Sequence, residues 1–118
     1  MKVAFTTFGN DLQAPLESRF GRAPDFLIYD LETDTFEVID NRQNLDAAHG
    51  AGIQSAETVA RSGAGALVTG YCGPKAFRVL AAAGIKIYYT VALSVAEALD
   101  LYRTGKLIAA ESADAEGT

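Results

Sequence analysis

His49 is the single histidine of this 118-residue chain and stands directly before Gly50-Ala51-Gly52. An imidazole in that position can ligate a metal or donate a hydrogen bond. The residues after it suit the start of a helix, where unpaired N–H groups and the helix dipole favour an anion. The same pattern also describes a histidine that caps a helix or faces water. Cys72 is likewise alone, within Gly70-Tyr71-Cys72-Gly73-Pro74. Glycines there let backbone approach a ligand without side-chain interference. A cysteine at a helix start can ionise readily and act as a soft metal ligand, although a lone cysteine is often a small buried apolar residue. Arg19 and Arg22 flank Phe20-Gly21, and Lys75 follows Pro74. Taken singly these are solvated loop charges; gathered at two glycine-rich helix starts they would make a local anion site.

Several chemistries are excluded or weakened at once. One cysteine cannot form an intrachain disulfide, nor supply the thiolates of a structural zinc site or an ordinary iron–sulfur cluster. Cys72 to Arg78 has the C-x5-R spacing of cysteine-dependent phosphatases, a match read as coincidence. Pro74 removes an amide from the would-be phosphate loop, and a helix from Pro74 carries Arg78 a full turn along it. A two-metal nuclease needs a carboxylate in its first strand, and Lys2 to Thr7 holds none. Fifteen acids against ten bases give a net charge of −5, a poor field for nucleic acid or an anionic membrane. The acid excess lies in residues 1–41 and in the last residues, leaving room for a basic site between them. No apolar run approaches the roughly 20 residues of a membrane span, and Met1 to Asn10 lacks a signal-peptide layout. A cytoplasmic protein with no nucleic-acid or membrane partner is expected.

The elements that must position these residues are readable from pattern. Lys2 to Thr7 reads as a strand. Asp11 to Asp25 follows as a long loop with Pro15, Gly21 and Pro24, and such a loop in a small domain is often a site wall. Phe26–Tyr29 and Thr35–Ile39 flank the turn Glu32-Thr33-Asp34 as an antiparallel hairpin. A polar loop Asn41 to His49 then leads into a helix over Gly50 to Arg61, with Ile53, Ala56, Val59 and Ala60 on its apolar face. Ala66 to Thr69 is a strand buried on both faces, and Pro74 opens a helix stopped by Gly84. Ile85 to Thr90 is another strand, and Ser94-Val95-Ala96-Glu97 is a capping box for a last helix ending before Gly105. A single domain over residues 1–107 is expected, followed by an acidic flexible tail over 108–118. The order βββαβαβα implies a three-layer α/β domain. Its mixed sheet has strand order 3-2-1-4-5 with only the second strand antiparallel to the rest. That topology gathers the loops holding Arg19, His49 and Cys72 at one sheet edge, where open α/β sheets bind ligands.

Four blocks together carry a resemblance: Ser18-Arg19-Phe20-Gly21-Arg22-Ala23, His49-Gly50-Ala51-Gly52, Gly70-Tyr71-Cys72-Gly73-Pro74-Lys75-Ala76-Phe77 and Ala83-Gly84-Ile85-Lys86-Ile87-Tyr88. In this order and spacing the chain resembles the dinitrogenase iron–molybdenum cofactor biosynthesis family over about residues 1–107. That family includes NifX-like and NafY-like accessory proteins, the NifB C-terminal domain and the orange protein. The resemblance implies a ribonuclease H-like fold without nuclease activity. It also implies a non-catalytic carrier of a preassembled anionic metal–sulfur cluster, either iron–molybdenum–sulfur or another molybdenum-containing sulfide. A cluster-assembly or recipient protein is the implied partner. Carried over by motif, His49 is the leading metal ligand and Cys72 a second candidate. Arg19, Arg22, Gly50, Gly52, Gly73, Pro74 and Lys75 are the implied cluster contacts. The other readings open at this point are a phosphate-ester enzyme using Cys72 and a small anion- or nucleotide-binding regulatory module.

Overall fold

A computed structural model describes residues 1–45 and 50–113. The described strands are β1 (Lys2–Thr7), β2 (Asp25–Asp30), β3 (Thr35–Asp40), β4 (Ala66–Thr69) and β5 (Lys86–Tyr89). They form one sheet in the order β3-β2-β1-β4-β5. β2 runs antiparallel to both β1 and β3, while β1 pairs parallel to β4 and β4 to β5. This is the expected ribonuclease H-like arrangement, and it sends β1, β3, β4 and β5 out of the sheet at a common edge.

Side-chain alternation splits the interior into two layers. Ala4, Phe26, Ile28 and Leu67 face α2 (Ala51–Arg61) and α3 (Pro74–Ala82), meeting Val59 and Leu80. Val3, Phe5, Leu27 and Val68 face the other way, towards Val95 and Leu99 of α4 (Val95–Arg103). Both layers are built of buried apolar side chains, and burying one such Phe or Leu contributes about 1.5–3 kcal/mol before the entropy of ordering it. The central position of β4 explains why all four of its residues are buried.

Three expectations need correction. Arg42–Leu45, expected as loop, forms a short helix α1; its order comes from side-chain bonds to α2 rather than from any apolar period. Ile53, expected on the core face of α2, belongs to neither apolar layer and lines a surface groove instead. The tail expected to be flexible from residue 108 is tied to β5 over part of its length. Ala109 bridges Tyr88 antiparallel, the Ala110 N–H donates to the Ile87 carbonyl at 2.7 Å, and the Tyr89 hydroxyl donates to the Ser112 carbonyl at 3.2 Å. The outer edge of β5 offers unpaired backbone groups, and such edges attract any neighbouring chain. Residues 114–118 lie outside the described residues.

Candidate functional site

The long loop after β1 is folded back onto the sheet by the end of that strand. The Glu17 N–H donates to the Thr6 carbonyl at 2.8 Å. The Thr6 hydroxyl is within 2.6 Å of the Glu17 carbonyl and 2.9 Å of the Thr69 hydroxyl, and Thr7 Oγ1 donates to the Pro15 carbonyl at 2.6 Å. The loop then runs beside the segment leaving β4. Tyr71 N–H donates to the Ser18 carbonyl at 2.8 Å, and Phe20 N–H donates to the Tyr71 carbonyl at 3.1 Å. Only glycine permits this approach at position 70, where a Cβ would lie 2.5 Å from the Ser18 carbonyl oxygen. Phe20 anchors the turn by stacking on Phe26, ring centroids 5.6 Å apart. With Phe20 driven inward, the exposed Arg19 and Arg22 stay outside on either side of it.

A buried polar knot sets the second wall. Asn41 is fully buried; its Nδ2 donates to the Ala23 carbonyl at 2.8 Å and to Ser55 Oγ of α2 at 3.0 Å. Asn44 Nδ2 donates to Asn41 Oδ1 at 2.7 Å and to Thr58 Oγ1 at 3.2 Å. Arg42 pairs with buried Asp25 at 2.9 Å, which pushes its guanidinium pKa up through hydrogen bond and charge together. One cluster of amides therefore fixes the end of the first loop, α1 and the body of α2 relative to one another.

Between these walls lies a groove of about 500 Å³. Seven residues singled out from sequence line it: Arg19, Arg22, Gly50, Gly52, Gly73, Pro74 and Lys75. α2 and α3 both begin there, behind Gly50 and Gly73, and among the described residues neither has a side-chain cap. The first-turn N–H groups of a helix have no partner within it, so two sets of donors open on one cavity. Pro74 reduces the α3 set by one. Arg19 Nε is 3.3 Å from Glu17 Oε1, whereas Arg22 and Lys75 join no ion pair among the described residues. The groove is thus a positive pocket in an acidic protein, able to hold an anion by amides and charges.

Two candidate ligands stand differently. His49 lies outside the described residues. Cys72, expected at the ligand edge, does not line the groove: it is 1% exposed and packs in the α2/α3 layer. Burial pushes its thiol up to about 12, so a helix start that would favour a thiolate is overruled by desolvation. The side chain is therefore sealed away from the groove with its proton held, and Arg78 is exposed on α3. Among the described residues no three His, Cys, Asp or Glu side chains gather to hold a metal ion. No described helix is long and apolar enough to cross a membrane.

Sequence reading did not single out Phe20, Gly21, Ala51, Ile53, Tyr71 or Ala76 as lining residues; Ile53 and Tyr71 are the large half-buried side chains among them. Ile53 was masked by its helical spacing with Ala56 and Ala60. Tyr71 adjoins a glycine that must touch another backbone, a signal that could have marked it.

Known proteins agree with this architecture. The family model described as dinitrogenase iron-molybdenum cofactor matches residues 1–105. The apo form of the orange protein from Desulfovibrio gigas superimposes with a TM-score of 0.93 at 40% identity, covering 96% of this chain and 95% of that one. A Thermotoga protein proposed as a NifB protein superimposes with a TM-score of 0.85 at 34% identity over 98% of both chains. An uncharacterized protein of Methanocaldococcus jannaschii is 33% identical over 110 residues, which is 91% of this chain and 89% of that protein.

Proposed function

The chain belongs to the dinitrogenase iron-molybdenum cofactor family, and from that premise we propose that it binds and hands on a preassembled anionic metal–sulfur cluster in the groove, without turnover of its own. The observation that carries this reading is the meeting of two helix starts, uncapped among the described residues, with Arg22 and Lys75, unpaired among them, in one groove of about 500 Å³. That volume falls within the roughly 300–1,000 Å³ typical of small-molecule sites. Its donors suit a charged cargo whose bridging sulfides are already in place. With Cys72 buried, the chain has no thiolate with which to build such a cluster.

In this reading His49, next in sequence to Gly50, ligates a metal of the cargo. Amides at the α2 start, around Gly50 and Gly52, and at the α3 start, behind Gly73, donate to its sulfides. Pro74 shapes the second start. Arg19, Arg22 and Lys75 balance its charge. The cargo is an iron–molybdenum–sulfur or other molybdenum-containing sulfide cluster, and the partners are the proteins that assemble or receive it in the cytoplasm. The groove is open to solvent, which suits handing over cargo to a docked partner.

Metal and sulfide analysis of protein isolated anaerobically, with its visible spectrum, tests the proposal. A coloured, near-stoichiometric cluster is expected, and His49→Ala should retain less of it at unchanged fold. Protein that holds no cluster after isolation, and takes up none when molybdenum, iron and sulfide are supplied, would sink the proposal.

A further inference from the structure

We propose that Ile53 and Tyr71 form the wall by which this groove selects a sulfur-rich anion over an oxyanion of the same shape and charge. This rests on the cluster-carrying reading and adds to it a residue-level cause of specificity.

The cationic and amide donors cannot make that choice. Arg22, Lys75 and the two helix starts attract any anion of suitable size, phosphate and molybdate included. Discrimination must come from the remaining surface of the groove. Ile53 and Tyr71 both line it, both are half-buried, and neither belongs to either apolar layer of the protein. Their apolar area thus lies outside both core layers and faces the groove, yet both are held in place. Ile53 sits in the first turn of α2. Tyr71 is pinned on both backbone sides, by its N–H to Ser18 and its carbonyl from Phe20.

The Tyr71 hydroxyl makes no hydrogen bond among the described residues. Tyr29, in contrast, bonds Asp34 and Arg103, and Tyr102 bonds the Met1 sulfur. Tyr71 is the one tyrosine among the residues lining the groove; a free hydroxyl serves an oxo ligand rather than a sulfide, so the preference must come from the ring and not from the phenol O–H.

An oxo ligand is small, hard and strongly hydrated. Against an isoleucine it loses water and gains no hydrogen bond, a cost the protein does not return. A sulfide ligand is larger, polarizable and weakly hydrated, and sulfur packs favourably against an aromatic ring. A wall of one aliphatic and one aromatic side chain therefore penalises the first and welcomes the second. Specificity is the difference between those two affinities.

Tetrathiomolybdate and molybdate are suitable probes, being tetrahedral dianions of the same metal. Their dissociation constants are measured by calorimetry for the parent, Ile53→Ser, Tyr71→Ser, Tyr71→Phe and the Ile53→Ser/Tyr71→Ser pair, with thermal unfolding as the control for fold. Ile53→Thr replaces Ile53→Ser should the latter not fold. The parent should prefer tetrathiomolybdate. Each serine variant should lower that preference about tenfold, the scale of one apolar contact in a pocket, by weakening tetrathiomolybdate and strengthening molybdate together. Tyr71→Phe should keep or raise the preference. An unchanged ratio in the double variant overturns the wall and leaves the cluster-carrying reading standing. A parent that binds neither anion, or binds both equally, overturns the wall as well; only if it also holds no assembled cluster does the carrying reading fall with it.

Discussion

The three longer helices of this protein, α2, α3 and α4, start at the same edge of the sheet, and they start differently. α4 opens with Ser94, whose hydroxyl accepts from the Glu97 N–H at 3.1 Å, while the Glu97 carboxylate accepts from the Leu93 N–H at 3.4 Å. α2 and α3 open with Gly50 and Gly73 and have no such cap among the described residues. Backbone shape does not force this on α3, because Gly73 (φ −72°, ψ 168°) is as extended as Ser94 (φ −137°, ψ 164°). A serine or aspartate at Gly73 has the backbone to cap its helix. The difference separates a helix start that satisfies itself, and serves stability, from two that leave donors exposed on a positive groove.

Gly70→Ala should have the largest effect, because the new methyl meets the Ser18 backbone and forces the first loop off the β4–α3 segment. A loss of about 3 kcal/mol in urea unfolding is expected, with cluster binding lost alongside. A stable, cluster-binding variant would mean that the groove does not depend on this approach. Gly73→Asp turns the open start of α3 into one like that of α4. Helix stability should hold or rise by a few tenths of a kcal/mol, while cluster affinity falls about thirtyfold, because a carboxylate now occupies the amides and repels the cargo. Equal affinity in titrations against the parent would dissolve the distinction between the two kinds of start.

Ser94→Ala is the mirror experiment. It should cost about 1 kcal/mol of stability and leave cluster affinity at the parental value; reduced affinity at equal cluster integrity would tie α4 to the groove. Neutralising Arg22 and Lys75 together as glutamines should weaken binding about threefold near physiological salt, the modest scale of exposed charges. Most of the salt dependence of uptake should vanish with them, and an unaltered salt slope would make them ordinary surface charges. The smallest effect at neutral pH belongs to Cys72. Its folded-state pKa stands near 12 against an ordinary value of 9.0, so the folded state keeps the proton that the unfolded chain gives up. The resulting stability is complete below pH 9 and is lost as pH rises from 9 towards 12. Urea unfolding of the parent and Cys72→Ala should show the parent losing ground above pH 9. A parent that instead gained would mean a thiolate stabilised by the α3 start.

Much of the frame was legible because its signals are local. β4 emerges at Ala66–Thr69 as read, bounded by glycines, and the Ser94 cap is where the S-x-x-E pattern put it. Pro74 opens α3 for the reason that places proline at first helical positions. What sequence reading missed depended on partners far along the chain. α1 is polar and four residues long; it is ordered by the bond from Asn44 to Thr58, fourteen residues away. Ala109 and Ala110 look like tail because alanine gives no strand signal, and only the open edge of β5 gives them a place.

The candidate site divides in the same way. Types and spacing in the chain alone determined that basic residues and glycine-rich helix starts would share a sheet edge, since the strand order follows from the alternation of strands and helices. Direction was another matter. Tyr71 and Cys72 are neighbours in one turn, yet Tyr71 lines the groove and Cys72 is sealed in the core. Adjacent residues in an extended segment point to opposite sides, so a glycine-rich stretch names both as candidates and cannot say which side is wet. Ile53 was misjudged for the matching reason, because helical period sets its stripe but not how far the sheet reaches beneath it. Only the packed layers decide where the core ends and the groove begins, for burial is a property of what lies opposite a side chain and not of the side chain itself.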